Sequence, residues 1–561
     1  MIGAPYIYPI LITCLITSFS HAQSWSYTVR DAAIFSSPKT ADLNNDRYPD
    51  IVIATGNEDA ISTEGILALD GRNGQKIWSF QTRNQVYGSA VFQDVNNDGT
   101  SDVFIGGRKG QFYCLDGKNG TLIWSLDTRL FGHNFDSLKL NLYTPAWVPD
   151  QDGDGIRDLV NVYGGGTDRR VTGWLVLLSG KTGQILARDT MPDGMESYCS
   201  PLAHDFDGDG EVEILFGSGE ERRGGKLYRC SLAQLKQANL AQAEILAADS
   251  LKGFIAVSSL ADFNGDGILD IACPALNKTL LVIDGSDGST IFKYERPGYE
   301  HYVTPVIGNF TSDGTPDILC SFQKGLWPFY QGYSFVLIDG ADGSVAWERD
   351  FARFQLTQHV ALDLNQDSFD ELIFCHNSDT GFFTVEYSHQ LQYIDFQEDS
   401  IHNLRPVLGG LNIFSTPLIS DFDQDKRVEI TYGHTLNPNT YYTVDSARIV
   451  HLELDFENVP SIAWGGYLGN KGDGIFRRRY LVPAGLSPPD EEAISIFPNP
   501  NNGQFYIQSR TASPQWKIFN MQGKEVGEGM GTFGEIRLPA GSYLVKGLDG
   551  KIPFSKVMIV R

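Results

Sequence analysis

DQDGDGIRD, residues 150–158, places carboxylates at positions 1, 3, 5 and 9 of a nine-residue run, with glycine at 4 and 6. Alternate side chains of a tight loop converge on one point, and a hard cation such as calcium takes six to eight oxygens there. Glycine at position 6 permits a turn in which a side chain would clash. The carbonyl of position 7 completes such a set. The EF-hand alternative fails because position 12 is never Glu; Asn161, Phe216 and Cys273 stand there in three copies.

The same pattern recurs along the chain. DLNNDRYPD offers Asp42, Asn44, Asp46 and Asp50, and DVNNDGTSD offers Asp94, Asn96, Asp98 and Asp102. The quoted copy offers Asp150, Asp152, Asp154 and Asp158, followed by Asp205, Asp207, Asp209 and Glu213 in DFDGDGEVE. DFNGDGILD adds Asp262, Asn264, Asp266 and Asp270, and NFTSDGTPD only Asn309, Asp313 and Asp317. DLNQDSFDE and DFDQDKRVE bring Asp363, Asn365, Asp367 and Glu371, then Asp421, Asp423, Asp425 and Glu429. The starts lie 52, 56, 55, 57, 47, 54 and 58 residues apart, which is an internal repeat. Gly99, Gly155, Gly210, Gly267 and Gly314 fill position 6 in the second to sixth copies, whereas Arg47, Ser368 and Lys426 fill it in the others. The sixth copy is short of charge, so the second to fifth are the expected calcium sites. The eight loops hold 26 carboxylates; eight Ca²⁺ would bring the net charge of −25 to −9.

Four short strands surround each loop. In the second repeat they are residues 88–92, 102–106, 111–116 and 121–126. A second turn joins the third strand to the fourth: Asp70-Gly-Arg-Asn-Gly74, Asp116-Gly-Lys-Asn-Gly120, Asp284-Gly-Ser-Asp-Gly288 and Asp339-Gly-Ala-Asp-Gly343, with Ser179-Gly-Lys-Thr-Gly183 as a variant. Such turns close hairpins. Four strands per repeat, repeated in a ring, predict an all-β fold: a β-propeller of four-stranded blades, eight by count of loops and seven as the alternative. Pro38, Pro145, Pro201, Pro305 and Pro417 precede the loops on the first strand, where the innermost edge of a blade is unpaired. Trp25-Ser-Tyr-Thr-Val stands before the first repeat as Trp78-Ser-Phe-Gln-Thr stands before the second. That register predicts an N-terminal strand completing the eighth blade, with residues 461–468 as its rival.

On these loops the repeats resemble FG-GAP (integrin α-like, VCBS-type) calcium-binding propeller repeats. The Leu-Asp-Gly-x-x-Gly-x-x-x-Trp segments also resemble quinoprotein-type repeats. The resemblance implies calcium between first and second strands and a ligand on the opposite face; it does not imply one function.

The first 22 residues carry no charged side chain and end in Ser20-His-Ala22, which reads as a signal peptide over residues 1–22. No other apolar run of membrane-spanning length exists. Residues 23–468 are read as the propeller, 469–490 as a proline-containing linker and 491–561 as a small β-sandwich. Phe497-Pro-Asn-Pro500, Asn520-Met-Gln-Gly523 and Ala540-Gly-Ser-Tyr-Leu-Val545 in that tail resemble the type A sorting domain of the type IX secretion system. The resemblance implies a Bacteroidetes-type bacterium, the type IX machinery as partner, and delivery to the outer-membrane surface or the extracellular space.

An acidic chain of this charge is a poor partner for nucleic acid or an anionic membrane. The six cysteines after Cys14 read as buried core thiols rather than disulfides. Connections expected opposite the loops are rich in aromatics: 131–143, 163–174, 191–198, 219–225, 297–302 and 326–333. They point to an extracellular glycan or protein ligand. Binding or adhesion is thus favoured over catalysis. A polysaccharide lyase would need a base such as His133, His301 or an arginine with a neutralising cluster on the channel, and a quinone-dependent dehydrogenase would need a stacking tryptophan and a catalytic acid beside a channel-bound calcium.

Overall fold

The computed structural model describes residues 24–126, 141–164, 172–380, 386–438 (except 424 and 426), 444–481 and seven stretches of strand between 495 and 560. It divides into two units, residues 1–481 and 482–561. The signal peptide and the aromatic run 131–140 lie outside the described residues.

Among the described residues eight antiparallel sheets make up the first unit, each enclosing one acidic loop between two adjacent strands. The second is representative, with Val91–Gln93, Asp102–Gly106, Phe112–Leu115 and Leu122–Ser125 in spatial order. Its second and third strands are buried along their whole length, so both faces pack on neighbouring sheets. Among the described residues helix is confined to Leu232–Lys236 and a short 3-10 turn at Leu240–Gln242. All six described cysteines are free and buried, five of them in strands and Cys199 in the connection before Leu202–His204.

The repeated glycines and tryptophans of the third-to-fourth turn join one sheet to the next. Trp78 and Trp124, on outer strands, donate from Nε1 to Gly117 O (2.7 Å) and Gly180 O (3.1 Å) in the turn of the following sheet. A Cβ on Gly120 or Gly183 would stand 2.7 or 2.3 Å from the indole that packs there. Trp25 makes the same contact to Gly71 O at 2.8 Å. Its strand, Trp25–Arg30, pairs antiparallel with Val444–Glu457 of the eighth sheet, which is the predicted N-terminal closure. Around the axis a belt of hydroxyls links the same neighbours. Thr416 N donates to Ser37 Oγ (3.0 Å), Ser37 N to Ser89 Oγ (3.2 Å) and Ser89 N to Thr144 Oγ1 (2.9 Å).

Two expectations are corrected. Residues 461–468 do not take an outer position: Ser461–Trp464 pairs with Val360–Leu362, the innermost strand of the seventh sheet. Of the expected linker 469–490, residues 469–481 pack on the propeller instead, because Ile475 is buried in the core and Arg478 is ion-paired with the buried Asp370; residues 482–490 lie outside the described residues. The second unit, taken by itself, holds a three-stranded sheet (Ser495–Phe497, Gln504–Gln508, Phe533–Glu535) and a four-stranded one containing Gln515–Asn520 and Gly541–Asp549. Trp516, Ile518 and Val545 are buried there.

Candidate functional sites: acidic loops and the aromatic mouth

Each acidic loop is built on its ninth residue. Asp50, Asp102, Asp158, Glu213, Asp270, Asp317 and Glu371 open the strand that follows the loop, Glu429 is the third residue of its strand, and all eight are buried. Each accepts the amide of loop position 2, as in Gln151 N to Asp158 Oδ2 (2.6 Å) and Phe206 N to Glu213 Oε2 (2.9 Å). The other oxygen of the aspartates accepts the glycine amide of the second turn: Gly117 N to Asp102 Oδ1 and Gly180 N to Asp158 Oδ1, both 3.0 Å. The acidic loops and Asp-Gly turns therefore lie on one face. A Cβ on Gly71, Gly117, Gly180, Gly285 or Gly340 would fall 1.9–2.1 Å from the carbonyl of loop position 8, which is why that turn position is glycine.

The first loop residue is held by amides across the turn, with Gly155 N to Asp150 Oδ2 (2.8 Å) and Gly210 N to Asp205 Oδ2 (3.0 Å). This leaves carboxylate oxygens facing one another. Asp150, Asp152 and Asp158 each place an oxygen within 4.8 Å of the others, as do Asp205, Asp207 and Glu213, and Asp421, Asp423 and Asp425. Calcium–oxygen bonds of about 2.3–2.6 Å would span such a group, so the donor set fits one hard cation. Burial pushes the ninth carboxyls upward, Asp50 and Glu213 to about 7, Asp270 and Asp317 to about 6 and Glu371 to about 8. A desolvated carboxylate of that kind is stabilised by a cation close by.

The loops differ from their sequence in four places. Asp46 is ion-paired with Arg72, whose guanidinium competes for the first site. Asn309 does not join its loop, since its Nδ2 donates to Ser368 O (2.9 Å) and its backbone amide to Asp370. The sixth loop recovers a third carboxylate from the second turn, Asp339, grouped with Asp313 and Asp317. In the second and fifth loops the amide nitrogens of Asn96 and Asn264 point at Asp116 and Asp284 of the equivalent turns (3.2 and 3.0 Å). The turn aspartates are functional candidates the loop motif overlooked. The signal was present, because the Asp-Gly turn recurs in register with the first, second, fifth and sixth loops. Asp42, Asp94, Asp98, Asp154, Asp209, Asp262, Asp266, Asp363, Asn44, Asn365 and Asp367 lie in their loops as expected, several accepting loop amides.

The opposite face carries the connections that enter each inner strand. Phe35, Tyr87, Tyr198, Tyr302 and Phe414 each stand four residues before such a strand, and Tyr143 three before, so they ring the mouth of the axis. Ring centroids are 5.5 Å apart for Tyr87 and Tyr143, 6.5 Å for Tyr143 and Tyr198, and 4.9 Å for Phe35 and Phe414. Trp327 stacks on Tyr302 at 5.6 Å and donates its amide to Glu300. Beyond it Leu326 and Phe329 are 63% and 81% exposed. Tyr198 Oη donates to the buried Glu196 at 2.7 Å, and Tyr302 Oη to Glu221 at 3.3 Å. Tyr163 and Tyr333, expected on this face, are instead buried in the core. His301 is fully buried against Phe322, its Nδ1 on Thr279 O and its pKa lowered by burial to about 4; it is no surface base. His133 lies outside the described residues.

Residues 25–374 match the family described as FAM234A/B beta-propeller, and residues 495–561 match the secretion system C-terminal sorting domain. The first match is to that family and not to the FG-GAP repeat. Protein FAM234B of Gallus gallus is 25% identical over 352 residues, covering 58% of this chain and 54% of its own, so the chain spans about half of that relative. Among solved structures, a europium-containing methanol dehydrogenase aligns over 76% of this chain and 92% of its own (11% identity, TM-score 0.49). The quinohemoprotein alcohol dehydrogenase of Comamonas testosteroni aligns over 76% of each chain (11%, 0.47), and BamB of Moraxella catarrhalis over 76% and 97% (12%, 0.38). Likeness at this level carries no function.

Proposed function

Because the chain belongs to the FAM234A/B β-propeller family and continues into a type IX sorting domain, we propose that it is a calcium-loaded binding propeller displayed outside the cell. The sorting domain implies export to the outer-membrane surface or extracellular space. No described helix is long and apolar enough to cross a membrane. In this reading the eight sheets close into an eight-bladed ring of FG-GAP character. Calcium ions in the acidic loops brace one face, and the other binds a glycan or protein ligand.

The observation that carries the reading is the aromatic mouth: six rings from separate sheets converge on the axis opposite the acidic loops. Phe35 is buried and the other five rings are partly exposed; rings held by packing offer flat, rigid contact area at small entropic cost, which suits sugar faces and apolar protein anchors. A glycan array probed with the calcium-loaded protein tests it. Binding should be saturable and should fall at least about ten-fold in Tyr198→Ala and Tyr302→Ala. Equal binding by the variants would contradict the assignment. The lyase reading loses support with the burial of His301, and a quinone-dependent dehydrogenase is not favoured. The array ligands, incubated with the protein and followed for unsaturated products, would expose lyase activity.

A further inference from the structure

We infer that the axis of the propeller is a peptide-binding site whose occupant is the chain's own segment 461–480, acting as a latch across the inner strands. The segment leaves the eighth sheet after Val444–Glu457, pairs along the inner edge of the seventh, loops through the axis, and returns so that Ser461 and Ile462 pair with Tyr480 and Arg479. It touches the inner strands of five sheets, or the residues leading into them. Gly465 O accepts Ile419 N of the eighth (2.7 Å), and Tyr467 O accepts Lys39 Nζ of the first (2.6 Å). Tyr467 Oη meets Ser200 beside the fourth (3.3 Å), and Leu468 N donates to Gln358 beside the seventh (2.9 Å). In the fifth, Leu260 N donates to Gly474 O and its carbonyl accepts Phe476 N, both 2.8 Å, around a parallel bridge to Ile475.

The occupant is also shaped for the site. Asn470 folds the segment on itself, accepting Gly465 N and donating to the carbonyls of Ile462 (3.0 Å) and Arg477 (2.5 Å). Arg478 forms a bidentate pair with the buried Asp370, which also accepts Asn309 N of the sixth sheet. Trp464 is fully buried. These are sequence-specific contacts at buried groups, the pattern of a bound peptide and not of a loose tail. Two consequences follow. The ring depends on residues near the end of the first unit, so it is complete only once that segment has been made and delivered. The axis is filled, so an external ligand reaches no deeper than the aromatic mouth.

The test uses the full chain with protease sites inserted after the exposed Asn458 and after Leu481, cut under native conditions. The freed peptide should stay with the propeller through gel filtration at micromolar concentration. The propeller should hold the Arg478→Ala peptide about a hundred-fold more weakly, since the substitution removes one partner of a buried ion pair. Asn470→Ala should weaken it independently, which covers the case in which Arg478→Ala fails to fold. Release of the peptide with collapse of the propeller also supports the latch. Release from a propeller that melts at the temperature of the uncut chain overturns it, as does retention unaffected by both substitutions.

Discussion

Gly117→Ala and Gly99→Ala make a matched pair within one sheet, and their costs should differ widely. A Cβ on Gly117 would stand 1.9 Å from Ser101 O and 2.9 Å from its carbon, backbone atoms with no side-chain freedom to move away. Relief means pulling the turn off the second strand, which also breaks the buried bond from Gly117 N to Asp102 Oδ1. Overpacking costs about 1–3 kcal/mol and a lost bond to a buried charge about 1.5–3 kcal/mol, so the pair of effects sums to about 2.5–6 kcal/mol. Gly99 has φ +86° and nothing within 4 Å of its Cβ position, so alanine there meets only backbone strain, about 1 kcal/mol. Urea unfolding followed by tryptophan fluorescence, in excess EDTA to remove metal linkage, gives both values. A Gly117→Ala cost no larger than that of Gly99→Ala would refute the account of why the turn motif repeats.

Deleting residues 24–30 should expose the edge of Val444–Glu457 and remove the Trp25 clamp; light scattering should report association of the shortened chain, and a monomer of unchanged melting temperature would argue otherwise. His359 is buried between Phe335 and Phe374, and burial lowers its pKa to about 3, so the unfolded chain binds its proton first. Its contribution is intact above the unfolded value of about 6.5 and is lost on acidification. Relative to His359→Leu, the native protein should lose about 2 kcal/mol between about pH 7.5 and about pH 5, and parallel pH profiles would count against it. Removing residues 491–561 should leave the propeller folded yet absent from the cell surface, checked by surface proteolysis; normal display would refute the sorting role.

The propeller was legible because its repeats are written in residue types with a single physical use. The Asp-Gly turn needs glycine against a carbonyl, and the tryptophan after it reaches the next turn, so Trp25 could be recognised as an outer strand before any partner was known. The loop carboxylates were legible for the same reason. What escaped the sequence lies between repeats. Asp339 reaches its loop from a turn 22 residues beyond Asp317, a contact set by sheet register and not by spacing. Residues 469–481 read as a linker because their glycines and charges carry no strand period. Their order comes from the axis they fill, with Arg478 on Asp370 and Asn470 on its own backbone. His301 looked like a base because one-dimensional spacing says nothing of depth, and only its packing on Phe322 shows that it is interior.

Calorimetric titration of the EDTA-stripped chain with calcium chloride addresses the central claim most directly. The three-carboxylate groups at Asp150, Asp205, Asp313 and Asp421 predict saturable uptake of several ions per chain. Binding to the native state alone should raise the melting temperature with calcium concentration. Uptake should fall in the double variant Asp150→Asn/Asp205→Asn. A flat titration with the melting temperature unchanged by calcium would contradict the calcium-braced propeller.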